Sequence, residues 1–269
     1  MFGRSLPLAV LMSQQNANHY PELRFVSVRT HLEQPKEIEQ MKQLLSLALI
    51  VATTLTAVVA CNRFAPSTSG SGETVQAART VNGQELVSKE QPAVRLKFDK
   101  AFKYAGSQTF VLYEVANAEQ HFFVDADKEG RIKRLYWIQF EGYLPSNTHA
   151  YDYDSEKKVD IGGLNFFADA YARNVKRNPS RANSDGSRSQ TFLQAKGFRM
   201  ASDEIMMQRL VHLTDETKRN ELMIIYMEDL SGTGLTAADL AKDGKDAARW
   251  EEISKGLLDR AVKGMTISK

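Results

Sequence analysis

Leu222-Met-Ile-Ile-Tyr-Met227 decides the fold: every position is apolar, so a strand built from it is covered on both faces and lies inside a sheet. Its flanks extend it to Glu221–Asp229, and the polar turn 214–220 joins it to a second strand-like run, Glu204–Leu213. Two strands so close in sequence pair antiparallel.

Working outward, Val94, Leu96 and Phe98 alternate with polar residues as a half-buried strand does. The runs Thr109 to Val115 and Gln120 to Asp125 continue the pattern, with Ala116-Asn-Ala-Glu119 as the connection. Asp125-Ala-Asp-Lys-Glu-Gly130 turns into a strand from Arg131 to Glu141, with Ile132, Tyr136, Ile138 and Phe140 on one face and Leu135 and Trp137 on the other. Leu164, Phe167, Ala168, Tyr171 and Val175 recur at helical spacing, which predicts a helix that Asn178-Pro179 ends. A short helix through Phe192 and Leu193 stops at Gly197. Thr236 to Asp239 resembles a capping box, and Trp250, Ile253, Leu257, Ala261 and Met265 form one stripe of a last helix. The expectation is an α+β domain over 93–269: one antiparallel sheet of about six strands with helices packed on at least one face.

The chain in front of this domain has a different character. Lys42 precedes an apolar stretch from Leu44 to Ala60, which ends in Val58-Val59-Ala60-Cys61. Residues 41–61 resemble a bacterial lipoprotein signal peptide closing in a lipobox, and Cys61 is the sole cysteine of the 269 residues. The resemblance implies cleavage after Ala60 and acylation of Cys61, including palmitate-type acyl chains that anchor the protein to a membrane without spanning it. Asn62 in place of Asp implies, in the sorting pattern of Gram-negative envelope lipoproteins, residence in the cell outer membrane, on the periplasmic side. Residues 1–40 then read as a leader extension or as the product of a start placed too early, with Met41 as the true first residue. Residues 61–92 read as a flexible tether around Ser67-Thr-Ser-Gly-Ser-Gly72.

From Cys61 onward 30 Lys and Arg face 29 Asp and Glu. A chain so nearly neutral lacks the basic stripe that nucleic acid requires. With its single cysteine acylated, the domain forms no disulfide and relies on an apolar core.

Chemistry-bearing patterns are sparse. Asp125-x-Asp127-x-x-Gly130 begins like a calcium loop, but its twelfth position is Tyr136, and a hairpin turn uses the same residues. Methionines 200, 206, 207, 223 and 227 are soft-metal ligands in principle, yet in aliphatic runs they read as core filling. Gly232-Thr-Gly234 lacks the lysine of a phosphate loop, and His121, His149 and His212 have no metal-ligand spacing. No catalytic residue, cofactor or metal is therefore assigned. The loop 142–158 stands out for its length and aromatics: Tyr143, His149, Tyr151, Asp152 and Tyr153 are candidates for binding a glycan or an envelope protein partner, unless Tyr151-Asp-Tyr-Asp154 forms a short edge strand whose tyrosines pack on the sheet. The function expected is that of a lipid-anchored envelope protein with a non-catalytic binding or assembly-accessory domain. The alternatives are an envelope hydrolase and a carrier of an apolar ligand held between sheet and helices.

Overall fold

The computed structural model describes residues 79–153 and 155–269, so the signal-like segment, Cys61 and the Ser67–Gly72 stretch lie outside the described residues. The chain forms β1 (Arg79–Asn82), β2 (Glu85–Lys89), β3 (Ala93–Phe98), β4 (Lys103–Leu112), β5 (Ala116–Ala126), β6 (Arg131–Tyr143), β7 (Lys158–Ile161) and β8 (Leu164–Asn174). Then come α1 (Asp185–Ala195), β9 (Arg199–Met200), β10 (Glu204–Leu213), β11 (Asn220–Asp229), α2 (Trp250–Lys263) and β12 (Met265–Ser268).

Two sheets result. The small one runs β1-β2-β3-β12; the large one runs β4-β5-β6-β11-β10-β8-β7, with β9 beside the start of β6. Every pairing is antiparallel except that of β9 with β6. The described residues are thus mainly β, with twelve strands in two sheets and two short α-helices, and the six-strand α+β expectation is corrected. The central placement of β11 between β6 and β10 agrees with its unbroken apolar run.

The largest correction is β8, whose residues read as a helix. Leu164 and Ala168 fit both periods, but the strand alternates Leu164, Phe166 and Ala168 into the core against Phe167, Asp169 and Tyr171 on the other face. The decisive local signal is Gly162-Gly163, with φ of +62° and +77°, which closes a two-residue hairpin with Ile161 opposite Leu164. Gly162 also passes under β12, where a Cβ would lie 2.2 Å from the Ile267 carbonyl oxygen.

Smaller corrections follow from edges. Arg79 to Lys89, assigned to the tether, form β1 and β2, and Leu86 is fully buried. The connection read at Ala116–Glu119 belongs to β5, and the chain turns earlier, through Tyr113 and Glu114 at positive φ. A register shift at Asp125/Ala126 moves Ile132 onto the face of Leu135 and Trp137, away from Tyr136. The Thr236–Asp239 box makes its reciprocal bonds, Thr236 N to Asp239 Oδ2 at 2.9 Å and Asp239 N to Thr236 Oγ1 at 3.2 Å, but caps only a turn. The last helix begins at Trp250, and Met265 opens β12 instead of extending it.

The main core lies between one face of the large sheet and the small sheet with α2: Phe123, Tyr136, Ile138 and Ile224 meet Leu96, Phe98, Leu257 and Ala261. The Tyr136 hydroxyl donates to the Ala261 carbonyl at 2.6 Å and holds α2 in place. At one end Arg79 donates to Glu119 at 3.0 Å, Glu119 lies 2.7 Å from His121 Nε2, and the Tyr104 hydroxyl lies 3.1 Å from Nδ1. The Arg79 guanidinium covers the Phe140 ring at 4.1 Å, so this polar chain fastens β1 to the large sheet. His121 is therefore a satisfied core histidine.

Candidate binding cleft

The opposite face of the large sheet carries a second apolar cluster, because β10 and β11 are apolar on both sides. Met223, Ile225 and Met227 point to this face while Leu222, Ile224 and Tyr226 point to the core. Helix α1 covers part of it. Ser184 caps that helix by accepting from Ser187 N at 3.1 Å, Leu193 is buried against the sheet, and Phe192 stacks on Phe122 at 5.1 Å.

Between α1 and β6, β11 and β10 lies a cleft of about 720 Å³, within the size range of small-molecule sites. Leu135, Trp137, Met207, Met223, Ile225 and Met227 make its floor. Leu193 and Ser189 form the helix side, and Phe198 and Met200 the β9 side. Of the methionines read as core filling, Met206 sits in the main core, while Met200, Met207, Met223 and Met227 line the cleft. The signal that separates them is register: Met207 and Met227 are direct partners on one face.

Arg173, Arg181, Arg199 and Arg209 line the cleft, together with Asp185 and Asp203. Arg209 donates to Asp169 at 2.5 Å and lies over the rings of Tyr153 and Tyr171 at 5.3 and 5.9 Å. Its Nε is buried without a hydrogen-bond partner among the described residues.

Beyond the cleft on the same face, Glu141 and Glu221 stand directly opposite each other on β6 and β11. The Tyr151 hydroxyl donates to Glu141 at 2.8 Å, the Gln139 amide donates to it at 2.5 Å, and the Tyr153 hydroxyl donates to Glu221 at 2.5 Å. Gln120 donates to Gln139 at 2.7 Å, and Trp137 Nε1 at 3.2 Å, so the network reaches the cleft floor. Burial, and then the neighbouring carboxyls, push Glu141 up to about 7 and Glu221 up to about 8, the tyrosine bonds opposing the rise. Asp185, at the start of α1, is raised for the same first reason.

The loop singled out by its aromatics closes this acidic end. Tyr151 is buried, and Tyr143 and Tyr153 are half-buried; the Tyr143 and Tyr151 rings stack at 4.4 Å and those of Tyr151 and Tyr153 at 6.5 Å. Arg219 ties the loop down by donating to the carbonyls of His149 at 2.8 Å and Leu144 at 3.0 Å. His149 is half-buried, and of the five candidate residues Asp152 alone is exposed. Tyr151 and Tyr153 pack on the sheet, though without an edge strand, and their hydroxyls serve the carboxyl pair.

The other motifs resolve as turns. Asp127 Oδ1 accepts from the backbone of Glu129 at 3.0 Å and of Arg131 at 2.9 Å, with Gly130 at φ +76°. Ser231–Thr233 is a short 3₁₀ turn. Among the described residues no group of three or more His, Cys, Asp or Glu is placed to hold a metal ion, and no helix is long and apolar enough to cross a membrane. Comparison with protein-family models, with curated proteins and with solved structures finds no match for this chain.

Proposed function

We propose that this chain is a lipid-anchored envelope carrier: attached through Cys61, it holds an apolar ligand in the cleft between α1 and the large sheet without transforming it. The observation that supports this reading is the methionine-lined floor, an apolar surface of adaptable side chains set in a cavity of about 720 Å³. Val111 is the sole exposed large hydrophobic among the described residues, so the outer surface offers a protein partner little apolar area. A chain of about ten methylenes at ~0.8 kcal/mol each yields ~8 kcal/mol, which sets micromolar Kd as the scale.

The test uses the uncharged fluorophore N-phenyl-1-naphthylamine. Saturable binding at one site with a blue-shifted emission is expected, and Met223→Phe with Met207→Phe, which fill the floor, should raise its Kd at least tenfold while unfolding stays cooperative. Absence of saturable binding to folded protein overturns the carrier reading.

A further inference from the structure

We infer that the ligand of this cleft is an anionic amphiphile, one acyl chain on the methionine floor with a carboxylate or phosphate at the Arg173–Arg199 end. The inference rests on the carrier reading and adds the chemistry of the head.

Four arginines, Arg173, Arg181, Arg199 and Arg209, are among the residues lining the cleft, with two acidic residues, Asp185 and Asp203. They are not equally engaged. Arg209 already holds Asp169. Arg173, paired across the sheet with Ile205, donates among the described residues only to the Asn178 carbonyl. Arg199, beside the first residue of β6, is exposed, and its guanidinium makes no hydrogen bond or ion pair among the described residues. Among the described residues both therefore stand at the same end of the sheet without a carboxylate partner, and Asp203 is the acidic residue that lines the cleft there. Guanidinium is the side-chain group best matched in shape and charge to carboxylate and phosphate.

The floor runs away from that end. From Ile132 to Trp137 along β6 is five residues at roughly 3.3 Å each, about 17 Å, the reach of an extended chain of about a dozen carbons. At its far end Trp137 donates to Gln139, so the tail meets an indole ring whose polar edge is already satisfied. A neutral apolar ligand leaves both guanidiniums unanswered; a cationic one is repelled.

The test uses the chain from Cys61 onward carrying Cys61→Ser, so that no acyl group of its own competes. The probes are 9,10-dibromostearate, its methyl ester, and the lysophosphatidylglycerol bearing the same brominated chain. Bromine near Trp137 quenches its fluorescence, and Trp250→Phe should leave that quenching intact because Trp250 packs on the main core. Both anionic probes are expected to bind at least tenfold more tightly than the ester, and the tighter of the two identifies carboxylate or phosphate as the head. Arg173→Gln combined with Arg199→Gln should erase that advantage and leave the ester unchanged; Arg199→Gln alone, at an exposed position, should take part of it without touching the fold. Equal binding of ester and anions, or an anion affinity within twofold of the parent in a folded double variant, overturns the inference while the carrier reading stands. No saturable quenching by any probe overturns both.

Discussion

Replacing Glu221 by Gln should make the protein more stable at pH 8 than it is with its natural residue. Glu141 and Glu221 are cross-strand partners, and side chains in that relation have Cβ atoms about 5 Å apart. Two charges at ~5 Å in a medium of effective dielectric ~20 repel by about 3 kcal/mol. Moving one carboxyl from 4.5 to about 7 corresponds to a similar ~3 kcal/mol, so repulsion and burial together describe a pair that holds a proton through neutral pH. In the unfolded chain both groups lose their protons near the ordinary value; in the folded chain they keep them up to about 7 and about 8. The folded state therefore binds more protons than the unfolded state between about pH 4.5 and 8, and stability falls as pH rises through that window. Glutamine keeps an acceptor for the Tyr153 hydroxyl and removes the second charge. Urea unfolding followed by tryptophan fluorescence should show the natural protein losing about 6 kcal/mol from pH 5 to pH 8, since both carboxyls titrate in that window, and Glu221→Gln losing less than half of that. Near pH 5 the two should agree within about 1 kcal/mol, and at pH 8 the variant's Tm should be higher by about 6 °C or more. Parallel pH profiles, or a natural protein that gains stability toward pH 8, refute the reasoning.

Gly162→Ala should cost at least about 2 kcal/mol in urea unfolding, since a left-handed residue with a Cβ costs ~1–2 kcal/mol and that Cβ would meet the Ile267 carbonyl at 2.2 Å; Gly163→Ala, whose nearest atom is Lys269 Nζ at 4.0 Å, should cost only about 1 kcal/mol. A chain begun at Ala93 should fail to unfold cooperatively where one begun near Arg79 succeeds, because it loses buried Leu86 and takes Arg79 from the buried Glu119, a loss of ~3–5 kcal/mol for the ion pair alone. Cys61→Ser in cells should leave an uncleaved precursor, and mass spectrometry of the natural protein should find an acylated Cys61 as its first residue; a peptide running unbroken through Ala60 and an unmodified Cys61 refutes the anchor.

Strands whose two faces differ, or whose faces are both apolar, could be read directly: Glu204–Leu213 matches β10 residue for residue, and β11 differs from its reading by one residue. The failures have local physical causes. Phe166 and Phe167 lie side by side, so the apolar pattern of β8 carries both periods, and the Gly162-Gly163 turn that breaks the tie precedes the run instead of lying within it. β1 and β2 are four and five residues long, with Leu86 their one fully buried hydrophobe, too little signal to stand out from a tether. β12 is a continuation of a helical stripe through Met265 until its partner β3 is known. The loop 142–158 is conspicuous for its aromatics, but the direction in which Tyr151 and Tyr153 face depends on Glu141 and Glu221, distant in sequence. The cleft was illegible because a methionine facing a cavity and one filling a core occupy the same kind of run; only the pairing of β10 with β11 and the partial cover of α1 separate them.

The placement of β12 bears on timing during synthesis. β3 is flanked by β2 from one end of the described chain and by β12 from the other, and Met265 and Ile267 are both buried in the main core. Until residue 268 has left the ribosome, the small sheet lacks its last strand, α2 has no strand to lead into, and the β7–β8 turn has nothing to pass beneath. A nascent chain in that condition leaves the apolar faces of β3 and α2 uncovered, and the main core closes only once β12 has paired with β3.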